Sequence, residues 1–459
     1  MKKVAYKEIF PPEKDCSKLP VMLTNETMKK RYQKVINKMV EKKYDAIVIY
    51  ADLEHGSNFE YLTGFLPRFE EALLVMHVNK ENYMIMGNEN LNKVSKARLA
   101  SNAIHSPYFS LPNQPMENTK SFLELLEESN LKEGQRIGIV GWKNFTSRFE
   151  NNKKLFDVPH YIIEKISKIV GEEIYNATDL FIGNTGVRCT NNVNEIEHYE
   201  FGASLASDSI LDAMDAVEIG VSELELGDKL NRYGQKNNVI TIAASGPRFL
   251  NANIYPTEKT VNLQDPISLT VGYKGGLSSR AGIVIENEKQ LPENQRDYLD
   301  RVVKPYYSAT VEWLENIHCG MLGGDLYSLI ERELPKEEYH WTLNPGHLCA
   351  DEEWMSSPIY KDSKEILESG MILQLDFIPS VSGYFATNAE SSIVIADTIL
   401  QEKIQNESPS LWKRMMNRRK YIENELNIKL HKDVLPLAST LGYLRPYLLC
   451  KEKAMSVML

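Results

Sequence analysis

The chain is poor in cysteine, and its five cysteines are scattered: Cys16, Cys189, Cys319, Cys349 and Cys450, with no CxxC pair. That spacing excludes a disulfide framework and a thiolate zinc site, and it fits reduced thiols in a cytoplasm. Apolar runs long enough to cross a membrane are missing, so no span is expected. The first residues, MKKVAYKEIFPPEKD, are basic but lack the apolar core of a signal peptide. A basic excess is missing too: 53 Lys and Arg face 63 Asp and Glu, a formal net charge of -10. Nothing is left over to replace the counterions of a nucleic acid, so no nucleic-acid partner is expected. Phosphate-loop patterns are also absent. GYKGG and CGMLGGD match neither GxxxxGK[ST] nor GxGxxG, and turn glycines are expected there.

What is present reads as a globular protein, 42% hydrophobic and 25% charged over 459 residues. DAIVIY, EALLVMHV, NYMIMG and RIGIVG are short, rich in branched residues and bounded by turn residues, as strands are. Amphipathic helices are expected over 28–43 and 120–130 between them. These pieces make a compact α/β domain. After the loop NTGVRCTNN, a long helix places Ala203, Ala206, Ala213 and Ala216 where close packing on a sheet is possible. A second helix is expected over 223–237, then strands, a helical block over about 295–335, and strands again over 371–396. Helices with mostly antiparallel strands indicate an α+β domain. The expected division is 1–175, 190–400 and an extension, 401–459, of opaque role.

Candidate chemistry concentrates between Asn344 and Ser392. His347 follows Gly346, Asp376 stands in the apolar MILQLDFIP, and Glu390 opens ESSIVIAD. One imidazole and two carboxylates on strand positions are the donor types of a hydrolytic metal site. Other candidates are weaker. Cys349 beside His347 has no third group to orient it as a nucleophile. His55 reads as a loop histidine. Arg248, Asn251, Asn253 and Tyr255, in the polar SGPRFLNANIYP, are placed to line a substrate site or to form a satisfied loop.

FEYLTGF, EALLV, NEIEHYEFGASLASDSI, NPGH, SGMILQLDFIP and NAESSIVIAD follow one another along the chain. Their order resembles the pita-bread metallopeptidase family, the group of creatinase, aminopeptidase P and prolidase. The resemblance implies an α/β N-terminal domain followed by an α+β pita-bread domain, X-Pro peptidase or related C–N hydrolase chemistry, and a homodimer. It also implies a five-ligand, two-metal site. His347 falls on the family's His, and Asp376 and Glu390 fall on its two Glu. The two Asp positions fall on Thr270 and Ser279, in TVGYKGGLSSRAG. Two further family histidines fall on Asn253 and Trp354. Arg68 and Phe69 correspond to the family's N-terminal contribution to the substrate pocket, which is expected to include Tyr255 and Arg280 as well.

Hydroxyls do not ionise near neutral pH, and two adjacent cations need carboxylate charge to offset their repulsion. A dinuclear site is therefore not expected. In one reading there is no cofactor, and Arg280 pairs with Asp376 or Glu390 in place of metal. In the other, His347, Asp376 and Glu390 hold a single divalent metal (Mn, Zn, Fe or Co). The expected partner is a small molecule or short peptide, and a non-catalytic binding or scaffold role stays open.

Overall fold

A computed structural model describes residues 2–17, 19–116, 120–250 and 254–458. The chain folds as two units, Leu23–Cys189 and a larger one made of Met1–Met22 with Thr190–Leu459. The expected division differs in two places: it assigns the first 22 residues to the N-terminal domain, and it sets 401–459 apart. Backbone pairing explains both. Strand β1 (Val4–Glu8) belongs to the larger unit, and the strand that pairs with it is the last in the chain.

The smaller unit is built on a six-stranded sheet. Its strands are β2 (Ala46–Ala51), β3 (Ala72–His77), β4 (Asn82–Met86), β5 (Asn102–His105), β6 (Ile137–Val140) and β7 (Ile174–Asn176), in the order β5-β4-β3-β2-β6-β7. Strands β2, β3 and β4 are antiparallel neighbours, while β6 pairs parallel with β2 and β7 parallel with β6. Every residue of β2, β3, β4 and β6 is buried, which is why they read as near-continuous apolar runs. The expected helices appear as Asn25–Lys42, capped by the Thr24 hydroxyl, and Phe122–Glu127, opened by a Ser121–Glu124 capping box. Strand β7 has only three residues and β5 buries only Ile104, so neither leaves an apolar run in the sequence.

The larger unit carries β8 (Ile242–Ser245), β9 (Pro266–Tyr273), β10 (Gly276–Ile283), β11 (His347–Leu348), β12 (Ile372–Leu375), β13 (Asn388–Ile395) and β14 (Val434–Pro436). Their order is β11-β12-β13-β10-β9-β8, with β14 added to β13, and all the pairings are antiparallel. The helix Val193–Ala216 packs against β9 and β10. Its small-residue face is real: Ala203, Ala206 and Ala213 are buried and Ala216 half-buried. The approach is close enough that a Cβ on Gly202 would meet the Lys274 carbonyl oxygen at 1.9 Å. One on Gly275 (φ +101), in the β9–β10 turn, would meet the Tyr199 carbonyl oxygen at 2.0 Å. The helix expected over 223–237 stops at Leu230, because Tyr233 and Gly234 adopt positive φ.

The last 60 or so residues are structural. Helices Thr398–Glu407 and Pro409–Asn424 lead to β14, and β15 (Lys453–Val457) pairs antiparallel with β1. Buried Glu200 of the long helix accepts from Arg414 Nε and Nη2 at 2.9 and 2.7 Å, and from Arg418 Nη2 at 2.6 Å. Arg418 also grips both oxygens of Asp15 at 2.8 Å and donates to the Pro436 carbonyl. Paired, charge-assisted bonds of this kind tie the N-terminal segment, the long helix and the C-terminal helix together. Among the described residues, no helix is long and apolar enough to cross a membrane.

Candidate functional site

Strand register assembles the candidate residues of the larger unit. Thr270 of β9 stands opposite Ser279 of β10, and Ser279 stands opposite Glu390 of β13. Leu375 of β12 pairs with Ser391, so Asp376 and Glu390 lie one step beyond that pair on adjacent strands. His347 of β11 pairs with Gln374, two residues before Asp376 and on the same face of the sheet. Positions scattered from Thr270 to Glu390 in the sequence thus form one row, and all five residues are buried.

The two halves of the row differ in chemistry. Thr270 Oγ1 and Ser279 Oγ share a hydrogen bond of 2.6 Å. The amide of Asn388 donates to Ser279 Oγ and to Glu390 Oε1, both at 2.9 Å. At the other end, His347 Nε2 lies 3.1 Å from Glu353 Oε1 and 3.7 Å from Asp376 Oδ2. Nε2 is close enough for charge attraction but makes no aligned hydrogen bond. Nδ1 faces the Leu348 carbonyl at 3.2 Å; a carbonyl oxygen only accepts, so Nδ1 carries a proton. The Trp354 ring stacks on the imidazole, with centroids 4.0 Å apart and planes at 25°. Among the described residues, no group of three or more His, Cys, Asp and Glu side chains is arranged to hold a metal ion.

Electrostatics follow from burial and crowding. Burial raises the Asp376 carboxyl to about 6, against the pull of His347. Burial and the charge of Asp376 push Glu390 well above the ordinary carboxylate range. Burial works against a charged His347, but Glu353 and Asp376 outweigh it, and the imidazole titrates above its usual value. Burial raises the Cys349 thiol, which is bonded to the Gly275 carbonyl and so is not a thiolate nucleophile.

Residues 31–169 match the Creatinase/Prolidase N-terminal domain, and residues 198–403 match the metallopeptidase family M24. The chain belongs to the pita-bread M24 family. Solved structures agree on the fold. An Xaa-Pro dipeptidase from Bacillus anthracis is 16% identical with a TM-score of 0.60, over 81% of this chain and 96% of that one. A recombinant prolidase from Thermococcus sibiricus is 18% identical with a TM-score of 0.63, over 81% and 95%. An X-Pro aminopeptidase from Thermotoga maritima MSB8 is 16% identical with a TM-score of 0.60, over 80% and 94%. No curated protein sequence matches.

Within this M24 chain the other candidate residues fare differently. Arg280 does not pair with the carboxylates, which corrects the expected role. Adjacent strand residues point to opposite faces, so the register that brings Ser279 into the row turns Arg280 away. Its guanidinium donates instead to the carbonyls of Ser279, Glu390, Thr440 and Tyr443 and to the Ser391 hydroxyl. Arg68 and Phe69 belong to the smaller unit, where the guanidinium lies over the Phe69 ring at 4.5 Å. The row and its flanking groups are made of larger-unit residues alone. Tyr255 is exposed. Asn251 and Asn253 lie outside the described residues. Arg248 pairs with Glu223, which also accepts from Ser245 and Thr257.

Two contributors escape a reading of the sequence. Glu353 lies in DEEW, which reads as a surface acidic run, yet its side chain is only 20% exposed and faces His347. Asn388 opens β13 two residues before Glu390, and that period-two spacing on a strand is the available signal.

Proposed function

We propose that this protein is a divergent M24 relative that binds a small amide or peptide and acts on its C–N bond without a two-metal centre. The observation that carries the reading is the hydroxyl pair Thr270–Ser279, with the Asn388 amide set between Ser279 and Glu390. Two adjacent divalent ions need bridging carboxylate charge; this end of the row offers two neutral oxygens and an N–H donor. Donors of that kind do not fit a pair of ions. Asp376, with its carboxyl at about 6, and His347 are the groups able to take up and return a proton near neutral pH. Pairing with a second copy and a reducing cytoplasmic setting are part of the proposal; the scattered cysteines, with no CxxC pair, are consistent with the latter.

Elemental analysis of the purified protein, run beside X-Pro peptide cleavage with and without manganese or cobalt, tests this reading. Substoichiometric metal and no metal-stimulated cleavage are expected. Two ions per chain with stimulated cleavage would overturn it. A second reading has one specific observation in its favour, the convergence of Glu353 and Asp376 on His347 Nε2. There the site is mononuclear, and one chelator-removable Mn, Zn, Fe or Co per chain is the outcome that selects it.

A further inference from the structure

Three features of the site together bear on what it would hold. Charge is the first: Glu353 and Asp376 converge on the His347 imidazole, Glu390 lies against Asp376 on the adjacent strand, and the nearby guanidinium of Arg280 is spent on carbonyls and a hydroxyl. Among the described residues, no Lys or Arg forms an ion pair with any of the three. Unmade hydrogen bonds are the second. Asp376 Oδ1 and Asn388 Oδ1 are acceptors buried without a donor, in residues only 5% and 3% exposed. Leaving such acceptors unpaired in the interior is destabilising unless something occupies them. Access is the third. Glu353 is partly open, and Trp354 beside it is 38% exposed while stacked on His347.

We propose that these groups take the protonated head of a small organic amine, a primary alkylammonium. Its positive charge offsets the surplus of carboxylates, and its N–H donors fill the vacant acceptors. The indole of Trp354 carries the alkyl stem and adds cation–π attraction. A quaternary ammonium has the charge without the donors, and an alcohol or a carboxylate lacks the charge. This inference rests on the reading that no pair of divalent ions occupies the site, and the test separates the two.

The full-length protein is dialysed against a chelator, its metal content is measured, and its melting temperature is followed with n-butylammonium, tetramethylammonium, butanol and butyrate at equal concentration. Saturable stabilisation by n-butylammonium alone is expected. Glu353→Gln and Trp354→Ala, checked for folding by circular dichroism, should each weaken it about tenfold or more. No response from metal-free protein overturns the inference and leaves the proposed function standing. Two ions per chain that survive the chelator sink both. Equal stabilisation by tetramethylammonium, or stabilisation indifferent to both variants, also overturns it, because the ammonium would then bind elsewhere.

Discussion

Two buried charge clusters in the larger unit are built on opposite plans. Around Arg418, two guanidiniums face two carboxylates, and both oxygens of Glu200 and of Asp15 accept hydrogen bonds from them. Burial works against a charged Glu200, but Arg418 and Arg414 outweigh it and hold the carboxyl below its ordinary range. Around His347, two acids face one imidazole with a third beside Asp376, acceptors are left without donors, and burial drives Asp376 and Glu390 upward. A cluster that completes its own valences serves the fold. One left short of positive charge and of donors is shaped for something that the chain does not supply.

The contrast can be broken most forcefully by adding acid to the unbalanced cluster. Thr270→Asp with Ser279→Asp buries two more carboxylates, and in chelator the fold is expected to lose about 5 kcal/mol or more. Manganese or cobalt should restore most of the loss, with bound metal read by elemental analysis. Breaking the balanced cluster comes next. Arg418→Met strips Asp15 of its guanidinium and leaves Glu200 with Arg414 alone, and is expected to cost about 3–5 kcal/mol in urea unfolding.

A smaller effect of opposite sign sharpens the comparison. The folded-state value of Asp376, about 6, lies above its ordinary 3.8, so it is the protonated form that the fold favours. That contribution is complete below about pH 4 and is lost as pH rises through 6. Asp376→Asn removes the titration, so the variant should be more stable than the parent at pH 8, by up to about 3 kcal/mol. A variant less stable than the parent at pH 8 would mean that a cation holds the carboxylate. Smallest is Trp354→Ala. It removes a half-exposed stacking partner and is expected to cost no more than about 1.5 kcal/mol in denaturant unfolding.

Much of this is legible in the sequence where the signal is local or periodic. Strands β2, β3, β4 and β6 announce themselves as buried apolar runs, and Gly346-His347, Asp376 and Glu390 stand out against apolar neighbours. Placing Thr270 and Ser279 in one row with Glu390 needs only the order of the motifs, and the register agrees. Arg280 misleads because adjacency in sequence is not adjacency in space; on a strand, a neighbour of Ser279 must face the other way. Glu353 escapes because a run of acids before an aromatic looks like solvated surface. Pairing of β1 with β15 spans almost the whole sequence, and no local pattern encodes it.

That pairing has a consequence for biosynthesis. At about 5–20 residues per second, roughly 20–90 s separate the translation of Glu8 from that of Lys453. During that interval β1 of the nascent larger unit is unpaired, while the whole of Leu23–Cys189 is made well before it ends. Completion of the larger unit therefore waits for Lys453–Val457, and a premature stop just before β15 would leave β1 without its partner as well.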